Sequence, residues 1–157
     1  VVSPANFNAP GQIVIAGSAA AVARAVAKAG EAGGKAIPLK VSAPFHCALM
    51  APAGKVVGET LDTVTISPLT FPVVANVDAT PNGDAARVKE LLVRQVDGAV
   101  RWEESIRHLE AQGVTLALEI GPGKVLAGLV KRITKSITVI SVNDVAGLEA
   151  AAIALAT

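Results

Sequence analysis

Tyrosine is absent from this sequence of 157 residues, and the other aromatics amount to three Phe and one Trp. A core made without aromatic rings has to be built from Ala, Val, Leu and Ile. That suits helices packed on a parallel sheet, whose strands are covered on both faces and read as aliphatic runs. Cys47 is the only cysteine, which excludes an internal disulfide and fits a reducing compartment. Charge is sparse and balanced at a net +1. The basic residues are scattered with no aromatic platform among them, so nucleic acid and a membrane surface are excluded as partners. No apolar run approaches the ~18–20 residues of a membrane helix. No charged segment precedes an apolar stretch at the start, so a cytoplasmic protein is expected. The chain opens without Met, directly into "VVSPANFNAPGQIVIAG". This reads as the middle of a domain, and a fragment of a longer protein is expected.

What is present is about one domain's worth of chain. "QIVIAG" (12–17) is a β-branched strand stopped by glycine, followed by a helix in "SAAAVARAVAKAG", with Ser18 as N-cap and Gly30 as C-cap. "KAIPLKV" then reads as a second extended segment, confined to an edge by Pro38, so a β-α-β unit of about forty residues is expected. A helix follows His46, with Pro52 in its first turn. A short buried strand around Val73, Val74 and Val77 leaves through "PNGD" into a helix near Asp84 to Arg94. "RWEESIRHLEAQG" is an amphipathic helix with Trp102, Ile106 and Leu109 on one side and Gly113 at its end. A strand over 114–120, a Gly-Pro-Gly turn, a helix from Lys124, a strand in "ITVISVND" and a last helix complete the chain. Strands alternating with helices from residue 73 onward predict a parallel sheet.

Several stretches are candidates for chemistry. The glycine turn of "EIGPGKVL" lies between a strand and a helix, where it can cradle a phosphate on the helix N-terminus or serve only as a tight turn. Its spacing matches neither the P-loop nor the dinucleotide fingerprint. His46, Cys47 and the distant His108 lack the spacing of a metal site, so no metal is assigned. In "VSAPFHCALM", His46 sits beside Cys47, but adjacent side chains seldom point at each other, and a lone Cys is more often a small buried hydrophobe. No GxSxG elbow is present. If His46 is a general base, its nucleophile lies elsewhere. "NFNAPGQ" gathers Asn6, Asn8 and Gln12 around an Ala-Pro-Gly turn, either as turn chemistry or as neutral donors and acceptors lining a cleft for an amide-containing ligand.

These pieces resemble one family, the malonyl-CoA:acyl carrier protein transacylases of bacterial fatty acid synthesis. "NFNAPGQIVIAG", "VSAPFHCALM", "PVVANVDA", "LLVRQVDGAVRWEESI" and "EIGPGKVLAGLVKRI" match the family's C-terminal half in order, over essentially the whole chain. The resemblance implies an α/β fold. Residues 1–41 would be the remainder of a ferredoxin-like small subdomain, and 42–157 the C-terminal part of an α/β-hydrolase-like core with a parallel sheet. It also implies ping-pong malonyl transfer with no cofactor: malonyl-CoA is a substrate, and the phosphopantetheine is carried by the acyl carrier protein. His46 corresponds to the base, oriented by a backbone carbonyl that falls on Gln95 by position. Asn6, Asn8 and Gln12 fall on the cleft wall as thioester or pantetheine contacts, and Lys35 where a basic residue meets CoA phosphates.

Two departures stand out. Phe45 replaces the small residue that usually precedes the histidine. The serine elbow, the oxyanion glutamine and the arginine that pairs with the malonyl carboxylate are absent from these residues. Arg94, Arg101 and Arg107 lie in the wrong motifs to replace that arginine. The chain is therefore expected to need the N-terminal half of the same enzyme and to be inactive alone. The alternatives are a non-catalytic α/β ligand-binding or interaction domain, and a fragment of a polyketide synthase acyltransferase domain.

Overall fold

A computed structural model describes residues 1–156. Strand β1 (Val2–Ala9) and strand β2 (Gln12–Gly17) pair antiparallel. Gly11 supplies the positive φ of 73° that the connecting turn requires, a conformation open to glycine because it lacks a Cβ. The Ala-Pro-Gly sequence is thus a hairpin turn. β1 carries register irregularities between Pro4 and Asn6 and between Phe7 and Ala9, which break the strict alternation a strand shows in sequence.

Helix α1 (Ala19–Glu31) follows. It runs through Gly30 to Glu31, with Ala32 as its C-cap, and Gly33 follows with a φ of 78°. The expected β-α-β unit is corrected to β-β-α, because residues 34–41 form no strand and all of them are exposed. Pro38 has no amide to donate to a ladder, and Ile37, Leu39 and Val41 stand in solvent rather than against a neighbouring strand.

After one 3-10 turn (Ala48–Met50), helix α2 (Ala51–Leu61) carries Pro52 in its first turn, where the missing N–H would have had no partner in any case. α2 packs on helix α3 (Val88–Asp97), and its buried Gly54 faces Val93 and Val96. The buried strand expected near Val73 shrinks to two residues, β3 (Val73–Val74), antiparallel to β4 (Pro81–Asn82). Pro68 and Pro72 deny the approaching chain the donors of a longer ladder, and Val73 is half exposed.

Helix α4 (Trp102–Ala111), strand β5 (Leu116–Ile120), helix α5 (Val125–Ile133), strand β6 (Thr138–Val142) and helix α6 (Val145–Leu155) follow in the order expected. β5 and β6 are parallel, joined through α5. They are the one parallel pair of strands among the described residues. A single parallel bridge, Asn6 to Val100, ties in the hairpin, with Phe7 N donating to Val100 O at 2.8 Å and Val100 N to Ala5 O at 2.8 Å. The core gathers Ala9, Ile106, Val130, Ile133 and Ile137, with Trp102, Leu109, Ala117, Leu129 and Val139 packed around them. β1, α4 and the β5-α5-β6 unit therefore share one apolar centre.

Much apolar surface stays open. Ile120, Val125 and Leu126 surround the Gly-Pro-Gly turn, and Val145, Leu148, Ile153 and Leu155 cover much of α6. A helix that is apolar all round is ordinarily enclosed, yet Ala151 is its one buried residue. No helix among the described residues is long and apolar enough to cross a membrane. No group of His, Cys, Asp and Glu among them is arranged to hold a metal ion.

The first turn of α6 lies flush on β6. Asp144 caps it by accepting from Gly147 N at 2.8 Å, and a Cβ on Gly147 would stand 2.5 Å from Ser141 O and 3.1 Å from Val142 Cα. Gly147→Ala is expected to destabilise the fold by about 1–3 kcal/mol through overpacking against backbone that cannot yield, seen as a lower midpoint in thermal unfolding.

Candidate active site

His46 lies in the turn that leads from the exposed 34–41 segment into the 3-10 turn before α2. Its φ of 59° is in the left-handed region. That region costs a residue with a Cβ on the order of 1–3 kcal/mol and persists only where neighbours impose it. Cys47 is one such neighbour. It is 1 % exposed, its Sγ donates to Pro44 O at 3.1 Å, and its carbonyl accepts from Met50 N at 2.8 Å. The thiol points inward as an anchor, away from the role of an exposed nucleophile.

The partly buried His46 ring reaches across 49 residues of sequence to place Nδ1 3.0 Å from Gln95 O. Gln95 sits in the last turn of α3, whose final carbonyls have no amide of their own helix to accept from. The helix stops because Gly98 is extended, and its amide closes on Arg94 O at 3.0 Å. A carbonyl can only accept, so Nδ1 donates to it and Nε2 keeps its lone pair.

The 76–80 loop is tied to the start of α4 through Arg101. Arg101 N donates to Asn76 O at 2.8 Å, and Arg101 Nη1 to Asp78 O at 3.2 Å, while Arg101 Nε holds Glu104 at 3.0 Å. Between α3 and β3 lies an apolar cavity of about 340 Å³, with Val74, Leu91, Leu92 and the amides of Asn76 and Gln95 on its wall.

The other candidates are not brought to this pair. Asn6 and Asn8 are partly buried on β1, and their side chains make no hydrogen bond among the described residues. Gln12 Oε1 accepts from Arg132 Nη1. Lys35 stands in the exposed segment after α1. Phe45, beside the histidine, is half exposed.

Glu119 was not singled out from the sequence. Its carboxylate accepts from Leu126 N at 2.8 Å and Ala127 N at 2.9 Å, and from Ser141 Oγ at 3.3 Å. The α5 amides that would have cradled a phosphate are thus already satisfied by an anion from the chain itself, and the Gly-Pro-Gly stretch reads as a turn. Gly121 and Gly123 make it possible with φ of 131° and 93°. An acid closing a strand just before a glycine turn is the signal that could have exposed this.

A relative from Salmonella typhimurium, "Malonyl CoA-acyl carrier protein transacylase", is 51% identical over 152 residues, covering 96% of this chain and 49% of its own length. The crystal structure of an acyl-carrier-protein S-malonyltransferase from Bartonella henselae superposes with a TM-score of 0.95 at 45% identity, over 100% of this chain and 50% of that one.

The chain is homologous to malonyl CoA-acyl carrier protein transacylases.

A malonyl-transacylase solved in complex with a type II PKS acyl-carrier protein is also similar, at 47% identity and a TM-score of 0.92, over 96% of this chain and 49% of that one. No family model matches the chain. The chain spans about half the length of the transacylases it matches, as expected for motifs read as one half of that family.

Burial pushes the Glu119 carboxyl up, but the hydrogen bonds from Ala127, Leu126 and Ser141 outweigh it and hold the group below the usual glutamate range. A depressed carboxyl contributes stability above its unfolded-state pKa, about 4.3 for glutamate. That stability is lost as pH falls from there through the lower folded value. Glu119→Gln should therefore unfold more easily than the parent at pH 7, and the gap between the two should close in acid. Thermal melts across pH 3–7 check this.

Proposed function

We propose that this chain supplies the general base and part of the substrate cleft for transfer of a malonyl group from CoA to the thiol of acyl carrier protein. The nucleophilic serine would come from the half of the transacylase that these residues lack. The observation that carries this reading is the His46 Nδ1 to Gln95 O hydrogen bond. It sets the tautomer in which Nε2 can accept a proton, and a carbonyl takes the orienting role that a carboxylate has in a Ser-His-Asp triad.

In the first half-reaction, the serine hydroxyl attacks the malonyl thioester carbon as its proton passes to His46 Nε2. The C–S bond then breaks, and the same nitrogen returns the proton to the departing CoA thiolate. In the second, His46 takes the proton of the pantetheine thiol, whose sulfur attacks the malonyl ester. The serine leaves with that proton, regenerating both groups. No cofactor is needed for either step.

Asn6 and Asn8, whose amides are free of hydrogen bonds among the described residues, would contact the thioester or pantetheine. Gln12 would join them by exchanging its bond to Arg132, and Lys35 would meet the CoA phosphates. Residues 1–41 are read as the remainder of a small ferredoxin-like subdomain and 42–157 as part of a hydrolase-like core, the two meeting where β1 enters the shared apolar centre. The open apolar surfaces of α6 and of the Gly-Pro-Gly turn support a larger fold around this chain. Likeness to a transacylase bound to a polyketide carrier protein favours a second reading, with the same chemistry but a polyketide carrier as acceptor. Comparing the two carriers as acceptors distinguishes them.

In the intact protein incubated with malonyl-CoA, mass spectrometry should find a malonyl adduct on serine. His46→Ala should lower transfer by about 10²–10⁴-fold. Gln95→Ala should keep turnover close to that of the parent, because the orienting group is the main-chain carbonyl. Unchanged transfer by His46→Ala would remove this histidine from the mechanism.

A further inference from the structure

Asn82 and Gly83 form the one Asn-Gly pair in the sequence, and Asp97 and Gly98 the one Asp-Gly pair. The two pairs bracket α3, the helix that presents Gln95 to His46. In such pairs a main-chain nitrogen closes readily on the preceding side chain, because glycine puts no Cβ in the way of the attack. The structure treats them differently. Gly98 N donates to Arg94 O at 3.0 Å, and a Cβ on Gly98 would stand 2.7 Å from Val77 Cγ2, so that nitrogen is engaged and its surroundings are packed. Gly83 is exposed, its N–H makes no hydrogen bond among the described residues, and nothing lies within 4 Å of where its Cβ would be.

We propose that Asn82 deamidates in the folded protein through attack by Gly83 N, and that the conversion unseats the start of α3 and withdraws Gln95 from His46. The modification stands by itself, while its effect on catalysis rests on the malonyl-transfer reading.

Asn82 Oδ1 accepts from Asp84 N at 3.2 Å, and Asn82 Nδ2 donates to Asp84 O at 2.9 Å. The first bond draws electrons from Cγ and steadies the oxyanion of an attacked amide. The second restrains the side chain, which is only 4 % exposed, and sets the pace. That restraint is local, because β3 and β4 pair over two residues each, a ladder that opens well below the cost of global unfolding. In the reaction Gly83 N gives its proton to hydroxide and bonds to Asn82 Cγ. The Cγ–Nδ2 bond breaks, and ammonia leaves with a proton from water, which restores the hydroxide. Water then opens the cyclic imide at either carbonyl, leaving aspartate or isoaspartate. A carboxylate there has no hydrogen to give Asp84 O, and a buried charge facing a carbonyl oxygen is costly. Isoaspartate also adds a methylene to the main chain between β4 and α3. Asp84 lies directly beyond, capping the turn that starts α3 by accepting from Ala86 N at 2.8 Å, and Asn82 shares the wall of the apolar cavity with Gln95. The displacement therefore runs along one helix to the carbonyl that orients the base.

The test ages the intact protein in mildly alkaline buffer and, in parallel, in denaturant, with peptide mapping by mass spectrometry that separates aspartate from isoaspartate. The folded parent should convert at Asn82, while Asp97 stays as aspartate until the chain is denatured. Gly83→Ala places a Cβ in open space and should lose the conversion at Asn82 with an unchanged melting midpoint. Transfer of malonyl to free pantetheine should fall about tenfold or more in fully converted parent, as for a misplaced catalytic group, and should hold in Gly83→Ala aged beside it. Asn82→Asp, which installs one product directly, should show the same loss with a lower melting midpoint. A folded parent that stays unmodified at Asn82 while the denatured chain converts overturns the proposal, and so does conversion that leaves transfer and the melting midpoint as they were. If fresh parent forms no malonyl adduct, the transfer reading fails alone, and conversion at Asn82 with a lower melting midpoint still decides the modification.

Discussion

A single hydrogen bond, from the imidazole of His46 to the main-chain carbonyl of Gln95, organises the middle of this molecule. It needs a helix that ends at the right residue, because only a carbonyl in a last turn is free to accept. It needs α2 and α3 close together, which the buried Gly54 against Val93 and Val96 permits. It also needs the histidine backbone held at a positive φ, which the inward thiol of Cys47 helps to impose. The histidine and its acceptor are thus set by packing on both sides. In the neutral ring this bond leaves the lone pair on Nε2, the tautomer that the proposed role as a base requires.

Charge is handled differently at the other end of the chain. The N-terminus of α5 attracts anions, and the protein answers with Glu119, tied at once to two α5 amides and to Ser141 on β6. That carboxylate joins the carboxyl end of β5 to the helix beyond the glycine turn, so strand, turn and helix behave as one piece. Lys131 on α5, with Lys124 before it and Lys135 after it, is exposed and in no ion pair among the described residues. The same short helix has its positive end neutralised internally and its flank left cationic.

Legibility in the sequence followed the range of the interactions involved. α4, β5, α5, β6 and α6 were read correctly, because apolar periodicity and glycine stops are local signals. β1 was missed because its alternation is broken by Pro4 and by two irregularities of register, and these make sense only beside β2. The 34–41 segment looks like a strand in composition, but no neighbour lies alongside it. The broad parallel sheet inferred from alternating strands and helices is, among the described residues, one parallel pair plus an isolated bridge. Pairing partners are a non-local property that composition does not carry. Of the site, His46 and Gln95 were named through family resemblance rather than spacing, since 49 residues separate them. Glu119 was passed over because its partners lie across a turn and on another strand.

The sequence by itself determined that the core is aliphatic, where the strongly periodic helices run, that a lone histidine and a lone cysteine stand side by side, and that no zinc or P-loop spacing exists. It also carried the resemblance to malonyl transacylases. Tertiary structure alone decided that Cys47 turns inward while His46 turns to Gln95, that the hairpin replaces a β-α-β unit, and that the α5 N-terminus is filled by Glu119. The reason is physical. Propensity and periodicity act over one or two turns of chain, whereas the direction of a side chain and the partner of a carbonyl are set by whatever distant residue packing brings within about 3 Å.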